Sequence, residues 1–178
     1  MKLKIKIKVL TGGCMPVISK NGDWVDLRSA INITIPAPQA DVLKRKTVEG
    51  ERVGHRDVEI PTYYIPLGVA MQLPQGFEAI IDSRSSGPKK LGLFIPSGQG
   101  VVDNTYNGNY DQWHYVCSPM RETTIEAGDR ICQFRIQLSQ KATMWQKIKW
   151  LLSSGIELVE ADDLGDDNRG GFGTSGIK

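Results

Sequence analysis

An all-β barrel or jelly roll is the fold class this sequence predicts, on three observations. Apolar and polar residues alternate in segment after segment, clusters of Pro, Gly, Asn and Asp separate those segments at short intervals, and one stretch alone carries helical spacing. The opening MKLKIKIKVL alternates lysine with Leu3, Ile5, Ile7 and Val9. That period of two is a half-buried strand, and it lacks the continuous apolar run of a signal peptide. Ile31, Ile33 and Ile35 repeat the pattern, and so do Ile65, Leu67, Val69, Met71 and Leu73. From 131 to 138, Cys132, Phe134, Ile136 and Leu138 alternate with Ile131, Gln133, Arg135 and Gln137. Turn chemistry falls at LPQG (73–76), SSGP (85–88) and TYNGN (105–109), and SSGIELVE (153–160) supplies a last strand.

Two stretches depart from alternation. From Asp41 to Glu59 the sequence is charged with little periodicity, which predicts a long exposed loop or arm between strands. ATMWQKIKWLLSSG places Trp145, Ile148, Lys149 and Leu152 at helical spacing with Gly155 as a stop, so a short amphipathic helix is expected, its apolar face packed on its own barrel. After Glu160 the composition turns to Gly and Asp, too poor in apolar groups to offset the entropy of ordering. The expected organisation is therefore one domain over 1–164 and a mobile arm over 165–178.

The bulk properties agree with one domain. The 178 residues are 40% hydrophobic and 24% charged, enough for one well-buried core. A net charge of +2 argues against nucleic acid as an obligatory partner, and Lys44, Arg45 and Lys46 read as a solvated loop. With no apolar run of about 18 residues, no membrane span is expected and the cytosol is the expected compartment. Cys14, Cys117 and Cys132 lack zinc-site spacing and read as buried free thiols.

Five short motifs carry chemistry. RGGFGTSG (169–176) combines glycines whose backbone N–H groups can turn around an anion with Arg169, Thr174 and Ser175 as further donors, a set suited to polyphosphate. Phe172 amid them suits a flat partner such as a nucleobase, although the same segment also reads as an ordinary disordered terminus. DSRSSG (82–87) offers Arg84, Ser85 and Ser86 to phosphate, or makes a plain turn. GVVDNTYNG (100–108) puts Asp103 at the end of a buried-looking strand, where a carboxylate can orient and deprotonate water. Asn107-Gly108 signals a tight hairpin, whose backbone could read a base edge while Tyr106 closes a sugar face; a capped turn with a packed tyrosine fits the same residues. AGDRICQ (127–133) sets Gln133 on a polar strand face, toward phosphate or toward solvent, and GDWVDL (22–27) offers Asp26 to a magnesium ion through its waters.

Taken in order, VDL, SRSSG, GVVDNTYNG, GDRICQ and RGGFGTSG resemble the five ordered motifs of the trimeric dUTP diphosphatase (dUTPase) family, from about Gly22 to Gly176. The resemblance implies a jelly-roll homotrimer with active sites at subunit interfaces, converting dUTP and water into dUMP and pyrophosphate with Mg2+ on the triphosphate. It implies that Asp103 activates the water that attacks the α-phosphorus and that Tyr106 stacks under the deoxyribose. Backbone from Gly98 through Gly100 to Val102, with Gly108, would read uracil. Arg84, Ser85, Ser86 and Gln133 would hold phosphates, with Asp26 reaching magnesium through water. Arg169, Gly173, Thr174 and Ser175 would clamp the γ-phosphate from another subunit while Phe172 lids the base.

The chain departs from the family pattern in carrying Trp24 two residues before Asp26, a form resembling phage and Bacillus-type members, and Asn109 where an acidic residue or glutamine is usual. Trp113 or His114 would share the lid in that branch, and the inserted segments 41–60 and 140–155 would serve an additional protein partner in a regulatory role. A dCTP deaminase of the same superfamily is the alternative chemistry.

Overall fold

The computed structural model describes residues 1–20, 22–40, 44–55, 58–165 and 168–171. The elements run β1 (Leu3–Val9), β2 (Val25–Arg28), β3 (Ile33–Ile35), β4 (Gln39–Ala40), β5 (Lys44–Val48), β6 (Glu51–His55), β7 (Val58–Glu59), β8 (Tyr63–Gln72) and β9 (Phe77–Ser83). There follow α1 (Gly87–Lys90), β10 (Leu93–Phe94), β11 (Gly100–Val102), β12 (Gln112–Pro119), β13 (Thr123–Ile125), β14 (Arg130–Leu138), α2 (Met144–Leu151) and β15 (Ile156–Glu160). Strands dominate, as alternation predicts.

Two larger sheets enclose the core. One has the order β10-β12-β8-β1-β15, the other β11-β9-β14-β2, and β3 pairs with β13 in a small sheet of its own. The core takes one side chain in two from each: Leu3, Ile5 and Ile7 from β1, Ile65, Leu67, Val69 and Met71 from β8, Phe77, Ala79 and Ile81 from β9, and Cys132, Phe134 and Ile136 from β14. Lys4 and Lys6 on the opposite face of β1 remain exposed. β1 is antiparallel to β8 and parallel to β15, with Leu3 opposite Ile156, so the chain's end closes the edge of its first strand.

The structure revises several expectations. Segment 41–60 holds a two-stranded ribbon, β5 on β6, at whose foot β4 pairs with β7. Glu49 and Gly50, at φ 52° and 86°, make the positive-φ turn that matches strand twist, and this local chemistry outweighs the weak apolar periodicity. Asn107-Gly108 is no tight hairpin. β11 pairs with β9 and β12 with β8, so residues 103–111 form a loop between the two sheets, and neither Asn107 nor Gly108 has positive φ. Nor is the strand before Asp103 buried, since β11 is an edge strand with Val101 exposed. Cys14 is exposed, while Cys117 and Cys132 are the buried free thiols expected.

Helix α2 forms where the spacing places it. Thr143 is its cap: the Gln146 N–H donates to Thr143 Oγ1 (3.4 Å) and the Thr143 N–H to Gln146 Oε1 (2.7 Å). The expected packing face is not the one that docks. Trp150 lies against Phe77 with ring centroids 5.3 Å apart, whereas Trp145 is 79% and Leu151 82% exposed, and Met144 and Leu152 are exposed beside them. The barrel wall near Phe77 accepts one large ring, and the rest of the apolar face is left in solvent.

Burial lifts the Cys117 thiol to about 12 and raises that of Cys132 as well, so neither forms thiolate near neutrality. Alkylation of the native protein at pH 8 should therefore modify Cys14 alone, and all three thiols after denaturation, as read by intact mass.

Candidate active site

The sequence-predicted residues gather at two places on the four-stranded sheet. The first is a cationic corner where β9 runs into α1. Asp26 on β2 accepts from Arg84 Nε through Oδ1 (2.8 Å) and from Arg130 Nη1 through Oδ2 (3.0 Å), so one carboxylate orients two guanidinium groups. The corner opens as a cavity of about 220 Å3 lined by Arg84, Ser86, Lys90, Asp129 and Arg130. Ser85 stands exposed beside it. Gln133 on β14 lies opposite both Asp26 and Asp82, and its Nε2 donates to the Ser83 carbonyl (3.3 Å). Such an array of donors takes an oxyanion well. Sequence reading missed Arg130, although GDRICQ contained it: Arg130 begins the strand that pairs with β2, and β2 carries the Asp26 carboxylate.

The second place is the 103–111 loop. Asn104 Nδ2 donates to the carbonyls of Leu73 and Pro74 (3.2 and 2.9 Å), tying the loop's start to the β8–β9 turn. Asp103 is exposed there and meets Arg169 Nη1 at 2.9 Å, while the same nitrogen donates to Thr105 Oγ1 at 2.8 Å. The Tyr106 hydroxyl donates to the Gln112 carbonyl (2.9 Å), and burial followed by the charge of Asp111 raises its pKa, which keeps it a neutral donor. His114 Nδ1 meets that same carbonyl at 2.8 Å, which requires the proton on Nδ1. Burial lowers the His114 pKa against the opposing pull of this bond.

Asp111, which sequence reading also missed, is 2% exposed. Its Oδ2 accepts the N–H groups of Gly108 (2.9 Å) and Arg169 (3.0 Å), and Oδ1 that of Gly170 (3.1 Å). The only sequence signal was a carboxylate two residues before a buried tryptophan. Trp113 itself is 1% exposed and packs edge-on against Phe134, so the expectation that it shares a base-capping role is corrected. His114, on the outward face of the strand, stays beside Tyr106. Phe172, Gly173, Thr174 and Ser175 lie outside the described residues.

Gly100 and Val102 lie on β11, which bonds to β9 on one side only and presents its other edge outward, while Gly98 sits in the bend before it at φ 87°. Pairing Val102 with Ala79 fixes the distance between the two places. Arg84 lies five residues farther along that strand line, roughly 17 Å of extended chain. One chain therefore holds its cationic corner and its exposed carboxylate at opposite ends of β9. Arg169, expected from another subunit, sits on the Asp103 of its own chain.

A guanidinium-rich corner suited to oxyanions, an exposed carboxylate on a tied loop and an outward strand edge sit together on a mostly-β protein. Comparison with known proteins makes the class particular. A family model described as dUTPase matches residues 57–149. The SPbeta prophage-derived deoxyuridine 5′-triphosphate nucleotidohydrolase of Bacillus subtilis strain 168 is 34% identical over 99% of this chain and 100% of its own length. The deoxyuridine 5′-triphosphate nucleotidohydrolase of Neorickettsia sennetsu is 34% identical over 64% of this chain and 68% of its own. Among solved structures, the dUTPase of Streptococcus mutans superposes with a TM-score of 0.58 at 20% identity, covering 78% of this chain and 98% of that one. That of Staphylococcus bacteriophage 80alpha does so with a TM-score of 0.57 at 18% identity, over 79% and 93%. The chain belongs to the dUTPase family.

Replacing Asn104 by Ala leaves two loop-anchoring carbonyls without their donor. A loss of about 1–3 kcal/mol is expected, measurable by urea denaturation at fixed protein concentration.

Proposed function

We propose that the protein hydrolyses dUTP to dUMP and pyrophosphate as a homotrimer in which each active site is shared between subunits. The observation that carries this reading is the separation of Asp103 from Arg84 along β9, in a chain that matches a prophage dUTP nucleotidohydrolase from end to end. A neighbouring copy would bring its cationic corner to the 103–111 loop and make one site from the two halves.

In that site Asp103 accepts the proton of the water that attacks the α-phosphorus, in line with departing pyrophosphate. Arg84, Ser85, Ser86 and Gln133 hold phosphate oxygens, and Arg130 joins them through its tie to Asp26. The outward edge of β11 pairs with uracil. Cytosine fails there because its amine presents donors where O4 accepts, and buried polar readout of this kind discriminates strongly. Tyr106 covers the deoxyribose. The resemblance adds Phe172 over the base, with Thr174 and Ser175 at the γ-phosphate. Arg169 pairs with Asp103 while both are about half exposed, at 46% and 58%, and such a pair is worth only ~0–1 kcal/mol. A triphosphate, with several charges, draws the guanidinium away and leaves Asp103 to the water.

The residues fit a magnesium ion that arrives with its substrate. Among the described residues no group of three or more His, Cys, Asp or Glu is placed to hold a metal ion, so the triphosphate would supply most ligands, with Asp129 at the cavity and Asp26, paired with Arg84 and Arg130, reaching it through water. When bound, the ion screens the triphosphate's charge and steadies the pyrophosphate as it leaves. Asp103→Asn should lower kcat by at least roughly a hundredfold with little change in KM, and near-normal kcat would remove Asp103 from this role. Following pyrophosphate and ammonia separately from dUTP and dCTP tests the reaction itself. Ammonia from dCTP would replace this reading by a deaminase.

A second reading concerns α2. Its exposed Met144, Trp145, Leu151 and Leu152 are rimmed by Lys141, Lys147 and Lys149, and no acidic residue occurs between Asp129 and Glu157. That surface suits a protein partner with an apolar groove edged by carboxylates. Trp145→Glu combined with Leu151→Glu should keep dUTP hydrolysis within about twofold and abolish binding of that partner. Lost hydrolysis would instead make the helix part of the enzyme.

A further inference from the structure

We propose that Tyr115 is the positioning residue of the cationic corner, acting from inside the core through Ser83 to set Arg84 and Gln133 for a phosphate chain. This rests on the dUTPase reading only in taking the corner as the place that holds substrate phosphates.

Ser83 ends β9 on the strand's inward row, two residues beyond the buried Ile81. A hydroxyl on a core face needs a partner, and the opposite sheet supplies it. Trp113, Tyr115 and Cys117 alternate inward along β12. The Tyr115 ring, 1% exposed, brings its hydroxyl within 2.8 Å of Ser83 Oγ. Cys117 and Cys132, the latter opposite Ser83 on β14, lie near the same hydroxyl, but thiols are weak partners. Burial holds the Tyr115 phenol well above its ordinary value, against the pull of the Ser83 bond, so the hydroxyl keeps its proton.

Ser83 passes this hold to the site by two routes. On the outer face of the sheet its carbonyl accepts from Gln133 Nε2 (3.3 Å), which fixes that amide beside the corner and leaves its second N–H for an oxyanion. Its peptide bond leads into Arg84, whose Nε meets Asp26 Oδ1 at 2.8 Å. The Ser83 N–H is taken in turn by Asp82 Oδ1 at 2.6 Å, so one residue is held at N–H, carbonyl and hydroxyl together. Remove the Tyr115 hydroxyl and the end of β9 can shift, so that guanidinium and amide no longer converge on one phosphate. Asp103 lies at the far end of β9, beyond reach of that shift. The effect therefore falls on holding the phosphate chain and not on activating water.

Tyr115→Phe, which keeps the ring and removes one oxygen, tests this with inorganic triphosphate and Mg2+ as the probe. By titration calorimetry on the full chain, the variant should bind about tenfold more weakly than the unaltered protein. Ser83→Ala, at a half-buried position, should match it, and the double variant should be no weaker than either single, because the two hydroxyls make one bond. With dUTP, KM should rise about as much while kcat stays within about threefold. A change that only loosened the core would lower the melting temperature and leave triphosphate binding and KM alone. Unchanged triphosphate binding in Tyr115→Phe or Ser83→Ala, or losses that multiply in the double variant, would overturn the proposal. The dUTPase reading is judged apart: triphosphate binding that depends on Tyr115, in a protein releasing no pyrophosphate from dUTP, would overturn that reading and uphold this one.

Discussion

Everything that positions the site hangs from β9, an inner strand of the four-stranded sheet bonded to β11 on one edge and β14 on the other. Its antiparallel register with β14, Cys132 opposite Ser83 through Leu138 opposite Phe77, aligns the two longest rows of apolar side chains in that sheet. A slip of one residue would turn Phe77, Ala79 and Ile81 to solvent, so the core enforces the register. The same register sets Gln133 between Asp26 and Asp82, delivers Arg84 to the cationic corner, and through β11 holds Asp103 at the far end. At that same end Phe77 takes the ring of Trp150 and anchors α2. Core packing and site geometry are therefore one constraint.

The two carboxylates of the site illustrate how surroundings sort like residues. Asp26 is a framework charge, with both oxygens engaged by guanidinium groups that hold phosphate in the proposed reaction. Asp103 is exposed and held by a single exposed arginine. Fixed pairing suits an orienting role, and a weak, solvent-screened pair suits a group that must be released on substrate binding. The assignments of roles follow from this contrast as much as from position in the sequence.

Legibility followed the range of the interactions involved. Period-two alternation announced β1, β8 and β14 because one face of each strand meets a continuous core. The helix at Met144–Leu151 was equally plain, from its helical spacing and the Gly155 stop. Its docking face was not, since Trp150 alone finds a partner and that partner, Phe77, is distant in sequence. Asn107-Gly108 carried a strong local hairpin signal, yet β11 and β12 join different sheets and Asp111 reorganises the turn between them. Arg130 and Asp111 escaped notice for one reason: each acts on residues about 60 to 100 positions away, where no short motif can record the pairing.

The departure at Asn109 now has a physical account. This side chain uses donor and acceptor together, giving its amide to Asp163 and taking the Leu164 N–H, with Lys8 Nζ also on its Oδ1 at 3.1 Å. A carboxylate at 109 would keep the acceptor but lose the donor, and would stand against Asp163 as a like charge. Asp163 is held below the usual carboxylate range first by the Asn109 amide and then by the Gly165 N–H, so it remains ionised and the repulsion would persist at neutral pH. Asn109 is therefore matched to Asp163 as Gly108 is matched to the close passage of Asn168. The loop and the root of the arm form one hydrogen-bonded unit, in which exchanging either strand of contacts alone would break the other.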